Sequence, residues 1–431
     1  MTTSSLPPAD QLLAFIDAAP TPFHAVDEAA ARLTDAGFAE LGLEAGEWPE
    51  GGAGFVRRGG ALVAWVAPGG TPALPYRLIG AHTDSPNLRI KLRPDLDGWG
   101  FRRLAAEPYG SPLLNSWLDR DLGLSGRVAV RESDGSVGLR LFRDDRPLLR
   151  VPQLAVHLDR EINDKGLLLN RQLHLNPVWG LGPAGDPTFA EWLAERVGVR
   201  PDHVLSWDAM CHDTLPAGFL GADEELISAP RLDNLSSCFG AVTALAARES
   251  EPAELEAVAV IALFDHEEVG SDTATGASSP LLTTVIERIG RARGATPDET
   301  ARALAGSAFL SADMAHGTHP NYPERHEPSH PIILGEGPVV KVNVNQRYAT
   351  DAHTAALFLN ACAIAGVPTQ TYAHRADMAC GSTIGPLIAT RLGVPTVDVG
   401  MAQLSMHSIR ELMATADVSH MVQAFGAWLA G

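Results

Sequence analysis

Five short stretches group histidine, aspartate and glutamate: His82-Thr-Asp84, Arg231-Leu-Asp233-Asn234, Phe264-Asp-His-Glu267-Glu268-Val-Gly270, Asp313-Met-Ala-His316 and Met406-His407-Ser-Ile-Arg410. Each alone reads as a turn or a helix cap. Brought to one place, they form a metal-binding set. Imidazole nitrogen from His82 and His407, with carboxylate oxygen from Asp233, Glu268 and Asp313 and no thiolate, suits zinc, manganese or cobalt in a site with room for water. Carboxylates clustered without a cation repel one another and raise their own pKa values. The grouping therefore calls for two divalent ions, which a bridging carboxylate holds about 3.5–4 Å apart. Asp84 follows His82 closely enough to accept its second ring N–H and fix the tautomer. Glu267 and Glu268 are neighbours, so in an extended chain they point to opposite sides. One is placed to bind metal while the other faces an activated water, takes its proton and passes it to the leaving group.

Open α/β sheets build such sites at the carboxyl ends of their strands. Short apolar runs at 61–67 and 76–81, flanked by Gly and Pro, predict buried strands, and the second delivers His82. Helices are predicted at 10–19 and again after Thr21, which caps, with Pro22 at the first position and Gly37 closing the end. Beyond Arg231, helical and strand segments alternate at 234–248, 257–264, 280–293, 308–313, 339–344, 351–365, 382–392 and 396–399. That rhythm belongs to a doubly wound sheet. Between about 89 and 223 the texture changes to short alternating segments, such as 127–131, 138–142 and 154–157, broken by Gly, Asp and Pro. His82 precedes this region and the other candidate ligands follow it. The expected fold class is therefore α/β: a catalytic domain with a doubly wound mixed sheet from 1–88 and 229–431, and an inserted, largely β domain at 89–228.

A chain of 431 residues, 45% hydrophobic and 20% charged, is long enough for two such domains. No apolar run approaches the roughly 20 residues needed to cross a bilayer, and the N-terminal stretch MTTSSLPPADQLLAF lacks the features of a signal peptide, so a cytoplasmic location is expected. Cys211, Cys238, Cys362 and Cys380 are widely spaced with no Cys-x-x-Cys pair, which predicts reduced thiols and no zinc knuckle. A net charge of -19 argues against nucleic acid and anionic membranes as partners. An acidic substrate would need a local basic pocket.

The stretches from Ala81-His82-Thr-Asp84 to Lys91, Leu232-Asp233-Asn-Leu235, His266-Glu-Glu-Val-Gly-Ser271, Asp313-Met-Ala-His-Gly-Thr-His-Pro-Asn-Tyr322, Lys341-Val-Asn-Val-Asn-Gln-Arg-Tyr348, Asp377-Met-Ala-Cys-Gly-Ser-Thr-Ile-Gly-Pro386 and Met406-His-Ser-Ile-Arg-Glu411 resemble, in this order, the aspartyl aminopeptidases, the M18 family of zinc aminopeptidases. The likeness runs from Thr21-Pro-Phe-His24 to the C-terminus and is weakest in the inserted β region. It implies an exopeptidase with two Zn2+ per chain, Mn2+ or Co2+ being alternatives, and a homododecamer built from dimers through the inserted domain. By the same resemblance Asp233 bridges both ions and precedes a cis peptide bond. His82 and Asp313 complete one site, and Glu268 and His407 the other. Glu267 is the general base for a bridging water that attacks the scissile carbonyl, with Asp84 beside it.

His157 resembles a histidine that reaches the neighbouring subunit's active site, although Gln153 stands where the family often has His. His316, Lys341 and Tyr348 resemble residues of the substrate pocket, the lysine facing the acidic side chain of peptides that begin with Asp or Glu. Two other readings stay open: a carboxypeptidase or deacylase on a related dizinc scaffold, and an idle assembly protein. Demand for a free α-amine separates the first from an aminopeptidase. The intact ligand set argues against the second.

Overall fold

The computed structural model describes residues 6–70, 72–249 and 255–431. The first five residues of the N-terminal stretch considered above lie outside them. By its contacts the chain divides into two compact units, Met1–Asp84 with Ala217–Met406 and Glu411–Gly431, and Ser85–Pro216 with His407–Arg410.

The first unit is built on a nine-stranded mixed sheet in the order Ala39–Glu40, Gly52–Arg58, Ala61–Ala67, Val258–Phe264, Tyr76–His82, Ala308–Ala312, Thr396–Gly400, Val339–Val342 and Gln370–Ala373. Every residue of Ala61–Ala67 and of Val258–Phe264 is buried, as a strand covered on both faces requires. Their side chains alternate between two cores. Leu62, Ala64, Ile261 and Leu263 pack with Val26 and Leu33 of the helix Pro22–Asp35, Phe239 of Leu232–Ala246 and Phe425 of Thr415–Ala430. Val63, Trp65, Val260 and Ala262 turn the other way, against Val285 of Leu281–Ala292 and Ile388 of Ile384–Leu392. Helices on both faces make this a doubly wound sheet, with the predicted cap at Thr21, whose hydroxyl accepts the His24 amide.

Val258–Phe264 and Ala308–Ala312 both run parallel to Tyr76–His82, with Phe264 beside His82 and Ser311 beside Gly80. Their carboxyl ends share one edge, and His82, Asp265 to Glu268 and Asp313 emerge there. A second, five-stranded sheet in this unit has the order Gly218–Leu220, Leu226–Ala229, Glu411–Ala414, Ala402–Leu404 and Ala315–His316. Pairing with Glu411–Ala414 explains why residues 217–228 group with this unit rather than with the preceding β region.

The second unit is an antiparallel six-stranded sheet in the order Val137–Leu149, Leu122–Arg131, Val204–Asp213, Asn87–Leu96, Phe101–Tyr109 and Val178–Leu181. The helix Phe189–Val197, opened by a Thr188–Glu191 capping box, packs Phe189 and Trp192 against Trp179. The strand expected at 154–157 is not formed. That stretch is a turn, with the Leu158 amide donating to the Ala155 carbonyl, and Leu154, Val156 and Leu158 are 56%, 50% and 75% exposed. Alternation marks a strand only where a neighbouring strand and a core wait for it. No helix among the described residues is long and apolar enough to cross a membrane.

Candidate metal centre

His82 closes its strand with its side chain buried. Its Nδ1 lies 2.9 Å from the backbone oxygen of Asp84. A proton held there turns the Nε2 lone pair outward, toward Asp233 Oδ1 at 3.3 Å and Asp313 Oδ1 at 3.6 Å. Asp84 thus orients His82 mainly through its carbonyl, since its carboxylate is 3.5 Å from Nδ1. That carboxylate is engaged elsewhere: Oδ1 accepts the Glu267 amide at 3.0 Å and Oδ2 the Glu268 amide at 3.1 Å. The short 3-10 turn Glu267–Val269 leaves these N–H groups without helical partners, and a carboxylate satisfies both.

Asp233 comes from the first turn of Leu232–Ala246, where Asp233 and Asn234 depart from helical geometry and their peptide bond is cis, as the family resemblance implied. Asp313 follows Ala312 at the sheet edge. Lys341, from Val339–Val342, donates through Nζ to the carbonyls of Asp313 at 2.9 Å and Met314 at 3.2 Å, and lies 3.5 Å from Asp313 Oδ2. One ligand atom each from His82, Asp233 and Asp313 lie within 4.8 Å of one another, and so do those of His82, Glu267 and Glu268.

The electrostatics of this cluster invite a cation. Burial disfavours a charged His82, yet Asp233, Asp313 and Asp84 raise its pKa well above the ordinary value. Burial pushes the Glu267 carboxyl up to about 8, with His82 opposing and Asp313, Asp84 and Asp233 adding to the rise. Glu268 is raised too, by burial and by Asp233. Asp313 moves down against its own burial because Lys341 and His82 face it. An all-oxygen-and-imidazole set that gathers positive charge in this way fits a divalent metal such as zinc.

The remaining candidates are placed as follows. His316 ends the short strand Ala315–His316 and is exposed, its ring 6.2 Å from that of Tyr372. Tyr348 is buried, its ring 5.1 Å from Lys341 Nζ. His157 sits on the exposed turn of the second unit. His407 opens the segment grouped with that unit, its Nδ1 3.0 Å from the Ser111 carbonyl oxygen. One residue escaped the sequence reading: Glu411, which is buried and accepts the Asp233 amide at 2.9 Å. It lies in a quoted motif, but nothing local marks its partner.

The family model described as "Aminopeptidase I zinc metalloprotease (M18)" matches residues 15–429. The probable M18 family aminopeptidase 2 of Streptomyces coelicolor is 50% identical over 423 residues, covering 97% of this chain and 97% of that protein. The cryo-EM structure of the Ape4 and Nbr1 complex contains a chain 35% identical with a TM-score of 0.94, covering 100% of this chain and 86% of that one. The S. cerevesiae mApe1 dodecamer is 29% identical at a TM-score of 0.84, with 98% and 97% covered. With its candidate metal ligands set on the edge of a doubly wound sheet, this chain belongs to the M18 family of zinc metalloproteases and is a metalloaminopeptidase.

Proposed function

We propose that the protein is a dizinc aminopeptidase that removes N-terminal residues from peptides, Asp and Glu in preference to others. The observation that carries this reading is the joint placement of Glu267 and Glu268: Asp84 anchors both amides beside the His82, Asp233 and Asp313 cluster. In this assignment Asp233 would be shared between the two ions, His82 and Asp313 would hold one, and Glu268 and His407 the other. Zinc held there would supply Lewis acidity, making a nearby water easier to deprotonate and the scissile carbonyl easier to attack. Glu267 accepts the water's proton on its free carboxylate oxygen and returns it to the departing amine. His316 and Tyr348 line the substrate side of the site, and His157 serves the site of a neighbouring copy within a homododecamer.

Selectivity is assigned to Lys341. Its side chain is 2% exposed, and the ammonium commits two protons to carbonyl oxygens. The third is proposed to meet the substrate's side-chain carboxylate. In a desolvated pocket a charge-assisted hydrogen bond of about 1.5–3 kcal/mol gives roughly ten- to a hundredfold selectivity over a neutral isostere. The test is kcat/KM on matched peptides beginning with Asp, Asn, Glu, Gln and Leu. Wild type is expected to favour Asp over Asn by about that factor, and Lys341→Met to abolish the ratio. Because Lys341 also holds Asp313, the variant slows on every peptide, so the ratio is the readout. Equal wild-type rates on Asp and Asn would remove the acidic preference; an unchanged ratio in the variant would clear Lys341. In the same panel His157→Ala is expected to lower every rate alike, and unchanged efficiency would dismiss it.

A further inference from the structure

The five-stranded sheet of the first unit is bracketed in sequence by the candidate ligands. Leu226–Ala229 runs toward Asp233, Ala315–His316 leaves Asp313, and His407 falls between Ala402–Leu404 and Glu411–Ala414. Within this sheet Glu411 is 3% exposed and pairs in register with Ala229, close before Asp233 in the chain. Its Oε2 accepts the Asp233 amide at 2.9 Å. Its Oε1 lies 3.4 Å from Nε2 of the buried Gln403, whose strand runs parallel to Ala315–His316. Across the same junction, Asn234 Nδ2 donates to the Ala312 carbonyl at 2.8 Å, just ahead of Asp313.

Burying a carboxylate costs free energy that hydrogen bonds must offset, and an apolar residue usually serves stability as well or better. A buried glutamate with one carboxylate oxygen on the amide of a candidate ligand therefore points to a local task. Asp233 has φ -85° and ψ 103°, outside the helical region although it lies in the first turn of a helix. Its N–H is one of the donors that a helix start leaves without a partner. If that donor is released, the backbone torsions of Asp233 are less constrained and can carry its carboxylate away from His82 and Asp313. We infer that Glu411 is a positioning residue for Asp233, holding the candidate bridging ligand in its binding geometry before metal arrives. The inference rests on the reading of Asp233 as a ligand.

Two conservative variants separate reach from charge. Glu411→Gln keeps an acceptor oxygen at the same distance and loses the charge; Glu411→Asp keeps the charge and withdraws the oxygen by one methylene. Zinc affinity is measured on the full-length protein by competition with a chelator, and the absorption spectrum of the cobalt-loaded protein reports ligand geometry. Melting of the metal-free form monitors the fold. Glu411→Gln is expected to stay close to wild type in both, and Glu411→Asp to bind zinc about 10–100-fold more weakly with an altered cobalt spectrum, at unchanged metal-free melting. Wild-type values for both variants, or equal losses in both, would overturn the positioning role. A wild type that binds neither metal would instead overturn the reading of Asp233, and this inference with it.

Discussion

Glu267→Gln is expected to leave the metal centre loaded and to lower kcat by about 10²–10⁴-fold. The substitution keeps volume and backbone, so the Asp84 grip on the amides of residues 267 and 268 survives. It removes only the oxygen that takes up and returns a proton. Without metal, burial and the surrounding carboxylates lift the Glu267 carboxyl to about 8, which keeps it largely protonated and unable to accept a proton at neutral pH. Metal bound nearby pulls this value back down. Steady-state kinetics together with zinc content check the prediction. A variant that turned over at the wild-type rate with full metal would move the base to another carboxylate.

Asp233→Asn is expected to lose metal, and activity with it. The amide can still offer an oxygen, but it removes one negative charge from the cluster at the residue assigned to both ions, and metal affinity there depends on ionised ligands. The fold itself should tolerate the change. Removing a carboxylate relieves repulsion with Glu268, whose pKa Asp233 helps to raise. Metal loss and misfolding are therefore separable in a melting experiment. Zinc at 100 times its dissociation constant stabilises a native site by about 2.7 kcal/mol. The wild type should show such a gain and Asp233→Asn little of it, with metal-free melting of the variant at or above that of wild type. An equal gain in both would remove Asp233 from the ligand set.

The framework of the site was legible in the sequence because it is written in local patterns. The runs at 61–67, 76–82 and 258–264 are buried almost throughout, and such runs announce central strands whatever lies far away. His82 ends one of these strands and Glu267 and Glu268 follow another, so their meeting at one edge follows from the parallel order of the two. Contacts that join distant segments were not legible. No periodicity signals that the Asp84 carboxylate reaches two amides of a turn formed far along the chain, or that Glu411 meets Asp233. The segment expected at 339–344 forms a strand over 339–342, and the carbonyl partners of Lys341 at Asp313 and Met314 depend on tertiary packing. Likewise 154–157 carries the alternation of a strand without the neighbour that would complete one.

The central claim, peptide hydrolysis by a metal-dependent aminopeptidase, is tested most directly by titrating zinc into metal-stripped protein. Release of the N-terminal residue is followed from an Asp peptide with a free α-amine and from its N-acetylated twin. The expected result is no turnover in stripped protein, recovery that reaches its plateau at about two ions per chain, and no cleavage of the blocked peptide. Full turnover with metal verified well below one ion per chain, or equal cleavage of the blocked peptide, would contradict the account.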